Sequence, residues 1–477
     1  MTFNADHDQA HEPLSRIDSA WLRMDRPTNL MMICGLMMLS GRLTLPQARA
    51  VIGTRLLCFH RFRQRVVQGG ERANTGGDAI AHWEDDPGFD ANWHVRHIAL
   101  PGKAGRAELE EVCSDLVSTA LDPSKPMWQF HVIDTADGNS ALLLRIHHCY
   151  GDGYALAHVI NGLTDADPQH PAASGHDIGA APPHGSWERM LGPQTESIAD
   201  MLRLAWSLAG TAGDWIAHPS HAVDAAREGL DLLSELAVIA GMTPDASTLY
   251  KGEQGVMKRV AWADPLPLFD VQAVAEAHAC SVNDVLLCCV TGALRSYLVA
   301  HGEMVAAIEL RAMVPVNLRP PGPVTELGNR FGLFILSLPI SEEDPIARLL
   351  QVHQRMRQLK RSRQATATLA ILAAIALAPE AVREQAMVTL AANASAVISN
   401  VRGPSEPRYF AGQRIAHQLF WVPQSGGIGV GISLLSHAGS INFGVVTDVK
   451  RVPDPAQLAT RFHAEFEALL LSTLMMR

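Results

Sequence analysis

Apolar residues along this chain follow two distinct periods. Over 282–299 they fall at 282, 285, 286, 289, 290, 293, 294, 297 and 298. That i, i+3, i+4, i+7 spacing predicts one buried face of an amphipathic helix. Helices are also predicted at 345–359 and 456–474, and a helical pattern covers 197–239, with Trp206 and Trp215 among its apolar positions. Strands are predicted where apolar runs are short or alternate, at 141–147, 308–316, 331–340, 396–401, 428–434 and 441–446. The run Leu30-Met-Met-Ile-Cys-Gly-Leu-Met-Met-Leu39 is predicted as a core strand. Its methionines, adaptable in packing, leave the lining of an acyl channel as the alternative.

The pattern stops at 167–187, a stretch rich in Pro, Gly, Ala and His without hydrophobic periodicity, which reads as a linker or long surface crossing. A compact unit over about 14–165 precedes it. Strands mixed irregularly with helices predict an α/β or α+β protein, and no short-period repeat is present.

The segment carrying the clearest chemistry is Leu142-Leu-Leu-Arg-Ile-His-His-Cys-Tyr-Gly-Asp-Gly-Tyr154. A hydrophobic strand ends in two histidines, crosses a glycine-containing turn and enters a helix at Asp152. Successive strand residues point to opposite faces, so His147 and His148 cannot both face one cavity. One imidazole is free to act as a base and the other is held in the structure. Asp152 is well placed as the N-cap of the following helix, and Gly151 and Gly153 fit turn geometry. Asn283 and Asp284 stand in the first turn of the 282–299 helix, with Ser281 as cap and Asp284 at capping-box spacing. Cys149 adjoins His148 in sequence, an arrangement that does not bring a thiol and an imidazole together as a catalytic pair.

Composition narrows the function classes. Of 477 residues, 47% are hydrophobic and 18% charged, enough to bury a large core, and the net charge is −10. An acidic balance excludes a general nucleic-acid binder while leaving room for a local basic patch on an anionic substrate. The first residues carry no basic segment followed by an apolar one, so a secretory leader is not expected. Seven cysteines without a CxxC pair predict reduced thiols and no metal knuckle. No apolar run reaches the length of a membrane span. The Ala-rich run 365–378, preceded by Lys360, Arg361 and Arg363, is predicted as a buried helix, with contact to a lipid surface as the alternative.

His147-His148-x-x-x-Asp152-Gly153 resembles the HHxxxDG signature of the acyltransferase superfamily that includes chloramphenicol acetyltransferase and peptide-synthetase condensation domains. Further segments, in order, resemble the bacterial wax ester synthase/diacylglycerol acyltransferase family. They are Leu14-Ser-Arg-Ile-Asp-Ser-Ala-Trp21, His94-Val-Arg-His97, Leu121-Asp-Pro-Ser-Lys-Pro-Met-Trp128, Val282-Asn-Asp284, Val314-Pro-Val-Asn-Leu-Arg319, Gly328-Asn-Arg-Phe-Gly332 and Ser399-Asn-Val-Arg-Gly-Pro404. Met127, Cys149, Tyr150 and Tyr154 depart from the family's usual residues and bear on substrate preference.

The resemblance implies an α/β fold of two chloramphenicol-acetyltransferase-like lobes with the active site in a channel between them. The lobes would be an N-terminal one over 1–166 and a C-terminal one over 197–477, joined by a crossover over 167–196. It implies an O-acyltransferase forming wax esters or triacylglycerol from long-chain acyl-CoA and a fatty alcohol or diacylglycerol. The base would be His148, with His147, Asp152 and Gly153 completing the motif and Asn283 and Asp284 at the substrate or oxyanion. No metal or resident cofactor is implied, acyl-CoA being a co-substrate. The expected setting is cytoplasmic, peripheral at a membrane or lipid inclusion. Arg23, Arg319 and Arg330 are the candidate partners of Asp152. The alternatives are a non-catalytic lipid-binding protein of the same fold, or a superfamily acyltransferase using another acceptor.

Overall fold

The computed structural model describes residues 12–68, 81–169, 234–235, 237–239, 241–319, 327–377, 380–424 and 426–475. Apart from 167–169, the expected linker lies outside the described residues, as does most of the 197–239 helical pattern.

The strands of the first half are β1 (Glu12–Pro13), β2 (Met32–Leu39), β3 (Gln64–Val67), β4 (His82–Asp85), β5 (Val95–Ala99), β6 (Trp128–Asp134) and β7 (Ser140–His147). The second half holds β8 (Lys258–Trp262), β9 (Leu266–Pro267), β10 (Leu310–Asn317), β11 (Phe331–Leu338) and β12 (Ala396–Arg402). It continues with β13 (Tyr409–Phe410), β14 (Gln413–Trp421), β15 (Val430–His437) and β16 (Ser440–Asp448). They form two large mixed sheets, in the orders β13-β14-β2-β7-β6-β5 and β11-β10-β12-β15-β16-β8, with β9 on β16 and a small β1-β4-β3 sheet apart.

β7 lies centrally, paired with β2 on one side and β6 on the other, and every residue of it is buried. A strand enclosed on both faces reads as a continuous apolar run, which is why 141–147 shows no alternation. β2 is the methionine-rich segment, and its register sets Met32 opposite His147. The edge of β2 that would otherwise be open is closed by β14, from the last third of the chain, which pairs Trp421 with Cys34. The expected C-terminal lobe of 197–477 therefore gives β13 and β14 to the sheet of the N-terminal lobe. Local patterning does not encode which sheet a strand joins.

Each sheet has its own core. One surrounds the helix Val282–Ala300, and the other packs β2, β6 and β7 against Phe62, Tyr150 and Trp83. The helix Val282–Ala300 is long and apolar enough by length and composition to cross a membrane, yet most of it is buried inside the protein. The helix Gln364–Leu377 lies on β11, where Gly332 leaves no room for a side chain: an added Cβ would strike the Ala365 carbonyl. Its Ala365, Ala367 and Thr368 are buried, as expected for the 365–378 run. All seven cysteines are free thiols.

Candidate active site

At the end of β7 the chain turns through a short 3-10 helix, His148–Tyr150, and enters the helix Gly153–Gly162. The strand-to-turn change gives the two histidines opposite surroundings. His147 is buried within the frame: its Nδ1 accepts a hydrogen bond from the Cys149 N–H (3.1 Å), and its Nε2 lies 3.9 Å from Asp25 Oδ2. Burial lowers its pKa to about 3, so the ring is neutral and its proton sits on Nε2. His148 lines a cavity of about 440 Å³ between the two sheets. Trp21 stacks on its ring, with centroids 4.2 Å apart and planes 18° apart, and Phe331 stands 6.0 Å away. Burial depresses the His148 pKa, partly opposed by the Asp152 carboxylate, so this imidazole is also neutral near neutral pH. Its Nδ1 is buried and has no hydrogen-bond partner among the described residues. Nε2 is therefore the ring nitrogen open to the cavity.

Asp152 is the helix N-cap, its Oδ1 accepting from the N–H groups of Tyr154 (3.1 Å) and Ala155 (2.9 Å). Its Oδ2 accepts from Arg319 Nη1 (2.5 Å) and from the backbone N–H of Arg330 (2.8 Å). Of the candidate partners, Arg319 supplies the ion pair and Arg330 a backbone donor. Gly151 and Gly328 form a bridge between the histidine turn and the segment before β11. Gly328 has φ +123°, a conformation open to glycine, and its carbonyl accepts from both the Asp152 N–H and Arg319. Asp152 thus ties the two halves together under the cavity. Gly153 lines the cavity, and a Cβ there would meet no protein atom.

Asn283 and Asp284 separate as sharply as the histidines. Both lie in the first turn of the helix Val282–Ala300, whose capping box of Ser281 and Asp284 is formed. Asn283 lines the cavity, and its Oδ1 accepts from Asn400 Nδ2 (2.7 Å). With the two amides oriented this way, the Asn283 NH₂ is left as a donor group. Asp284 is not part of the cavity lining. Its Oδ2 accepts from the Ser281 N–H (2.9 Å) and pairs with His353 Nδ1 (2.8 Å). The structure thus places Asp284 in the frame, where about 100° of rotation per residue turns it off the cavity face.

The remaining lining is largely apolar, including Met31, Ile33, Leu286, Met313, Phe331 and Leu372. Two of these residues, Met31 and Ile33, come from the methionine-rich segment, so it is both core strand and cavity wall. Arg402 lines the cavity with an exposed side chain. Cys149 is buried with its thiol pKa pushed well above the ordinary value by burial, consistent with its exclusion as a nucleophile. Trp128 is buried and stacked on His94, a packing residue in the core around β2, β6 and β7. Trp21, Asn329 and Asn400 are site residues that sequence reasoning did not single out. The only signal was that each lies in a family-like block, with no indication of which side chain it contributes.

Residues 14–286 match the wax ester synthase/diacylglycerol acyltransferase catalytic domain, and residues 327–470 match the WS/DGAT C-terminal domain. A Mycobacterium tuberculosis protein described as a probable diacylglycerol O-acyltransferase is 28% identical over 387 residues, covering 79% of this chain and 78% of its own length. A second one from the same organism is 28% identical over 407 residues, covering 83% and 84%. The fold is similar to that of the wax ester synthase/diacylglycerol acyltransferase from Marinobacter aquaeolei VT8, with TM-score 0.68, 21% identity and 97% and 99% of the two chains covered. The first condensation domain of the calcium-dependent antibiotic synthetase shares the architecture at TM-score 0.57 and 15% identity, over 97% and 96% of the chains. The two-lobed α/β fold is thus established, and the catalytic-domain match spans more than half of the sequence. The chain belongs to the wax ester synthase/diacylglycerol acyltransferase family.

Proposed function

We propose that the protein transfers an acyl group from long-chain acyl-CoA to the hydroxyl of a fatty alcohol or diacylglycerol, with His148 as general base. The observation that carries this reading is the neutral His148 ring, its Nε2 open to a large and mostly apolar cavity that the Asn283 amide also lines. An alcohol attacks a thioester poorly unless its proton is removed as the bond forms, and a positioned imidazole contributes roughly 10²–10⁴-fold. The O–H proton passes to Nε2 while oxygen bonds to the thioester carbon. The resulting oxyanion accepts a hydrogen bond from the Asn283 NH₂. Collapse breaks the C–S bond, and the departing thiolate recovers the proton from the imidazolium. No covalent enzyme intermediate and no resident cofactor enter this scheme.

His147, Asp152 and Gly153 support the base rather than react: the first is locked in the strand end, the second fixes the turn, and the third keeps the cavity wall without a side chain. Arg402 supplies a cation on the cavity lining where an anionic carrier would lie. Lipid acceptors of this kind fit a cytoplasmic enzyme that works peripherally at a membrane or lipid-inclusion surface. Support comes from Phe269, 78% exposed, which follows Leu268 in the cavity lining. Sedimentation with lipid vesicles, lost in Phe269→Asp, checks that part; vesicle binding unchanged in the variant would sink it. Turnover is tested by free-thiol release from palmitoyl-CoA with hexadecanol or dipalmitoylglycerol. Release that needs an acceptor and vanishes in His148→Ala is expected. Folded protein that binds lipid but releases no thiol with either acceptor would overturn the reading.

A further inference from the structure

The segment between Leu327 and β11 docks on the histidine turn, and its Asn329 is buried there. Asn329 Nδ2 donates to Asp18 Oδ1 (2.7 Å) and to the His148 carbonyl (2.8 Å). Two acceptors on one side fix the amide: the flipped form would set its oxygen against a carboxylate and a carbonyl. Asn329 Oδ1 therefore points elsewhere, and it is buried without a partner among the described residues. The base has the matching defect, since His148 Nδ1 is buried and unpartnered too. A buried donor and a buried acceptor left apart cost free energy that pairing them would recover. The Asn329 side chain already acts on the ring, favouring its protonated form, as the His148 backbone does more strongly. Asp18 stands one helical turn before Trp21, so one helix both holds Asn329 and stacks on the His148 ring.

We infer that Asn329 is the positioning residue of His148, its amide oxygen taking the Nδ1–H and so leaving the Nε2 lone pair for the acceptor alcohol. This rests on His148 being the base. The contact matters most as the reaction proceeds, because an imidazolium Nδ1–H is a stronger donor than a neutral one. Asn329 thus stabilises the charge formed when the alcohol proton arrives. The other titratable or charged groups around the ring are Asp152 from the helix cap, the adjacent His147, Asp18 behind Asn329, and Arg319 on Asp152.

The test measures thiol release against pH for the full chain, for Asn329→Leu and Asn329→Asp, and for His148→Ala. In Asn329→Leu, kcat falls about 10- to 100-fold with KM for palmitoyl-CoA nearly unchanged. Its acidic limb moves to lower pH, because a group favouring the imidazolium is gone. Asn329→Asp puts a carboxylate in the same place and moves the limb to higher pH. If the leucine variant does not fold, the upward shift in the aspartate variant carries the test. Folded variants whose limbs do not move, or move the same way, overturn the inference, as does kcat within about 3-fold of the parent in both. An active His148→Ala would instead remove the base assignment beneath it.

Discussion

Two dipeptides, one at the end of a strand and one at the start of a helix, divide their work in the same way by different geometry. At the end of β7, His147 belongs to the frame and His148 to the cavity. At the start of the helix Val282–Ala300, Asn283 faces the cavity and Asp284 binds the frame through Ser281 and His353. The change from strand to turn after His147 separates the histidines, and about 100° per helical residue separates Asn from Asp. In both pairs the frame residue is turned to protein partners, with His147 Nε2 and Asp284 Oδ1 buried and without a hydrogen-bond partner among the described residues, while the cavity residue lines the cavity. The capacity to react therefore goes with access to the cavity, not with residue type.

The largest effect that would break this comparison is at the histidines. His148→Ala is expected to lower acceptor-dependent thiol release by roughly 10²–10⁴-fold without loss of fold. His147→Gln is expected to lower the melting temperature instead, with little change in kcat for the folded fraction. Equal losses of kcat from both would dissolve the distinction. Asp152→Ala comes next: it leaves the buried Arg319 guanidinium unpaired and costs about 3–5 kcal/mol in denaturant unfolding. The helical pair is sharpened by Asn283→Ala, expected to cost about 10²-fold in kcat with KM little changed, as for an oxyanion donor. Asp284→Ala is expected to cost about 1–2 kcal/mol of stability through the lost cap while the folded enzyme keeps its kcat.

The smallest effects are in pH dependence. His148 acts as a neutral base, so kcat/KM rises with pH through its pKa, and burial sets that limb below the ordinary histidine value of 6.5. A limb above 6.5 in the pH–rate profile would contradict the buried site. His147, with its pKa lowered to about 3, binds its proton more weakly folded than unfolded. Its stability contribution is complete above about 6.5 and is lost as pH falls from there towards 3, because the unfolded chain takes up the proton first. The stability slope over that window is expected to flatten in His147→Gln.

Much of the fold was legible in the sequence. The helix Val282–Ala300 and its cap, the strand ending at His147 and the Asp152 cap all follow from period and terminus chemistry within a few residues. Those are local signals, carried by neighbours in the chain. The joining of β14 to β2 was not legible, because a strand's own pattern states that one face is buried but not against which partner. Nor could the Asp152 partner be chosen from Arg23, Arg319 and Arg330, since the choice depends on which guanidinium the tertiary fold brings to the carboxylate.

The sequence by itself determined that a strand-end histidine would stand free of its neighbour, that a carboxylate would cap the turn behind it, and that the chain had apolar residues enough to enclose both. Tertiary structure alone decided which atoms remained uncommitted. Trp21 comes from the first helix, Asn329 and Arg319 from either side of residues 320–326, and Asn400 from the far sheet. Their meeting is set by the pairing of two sheets across hundreds of residues, and hydrogen-bond directions exist only once that pairing is made.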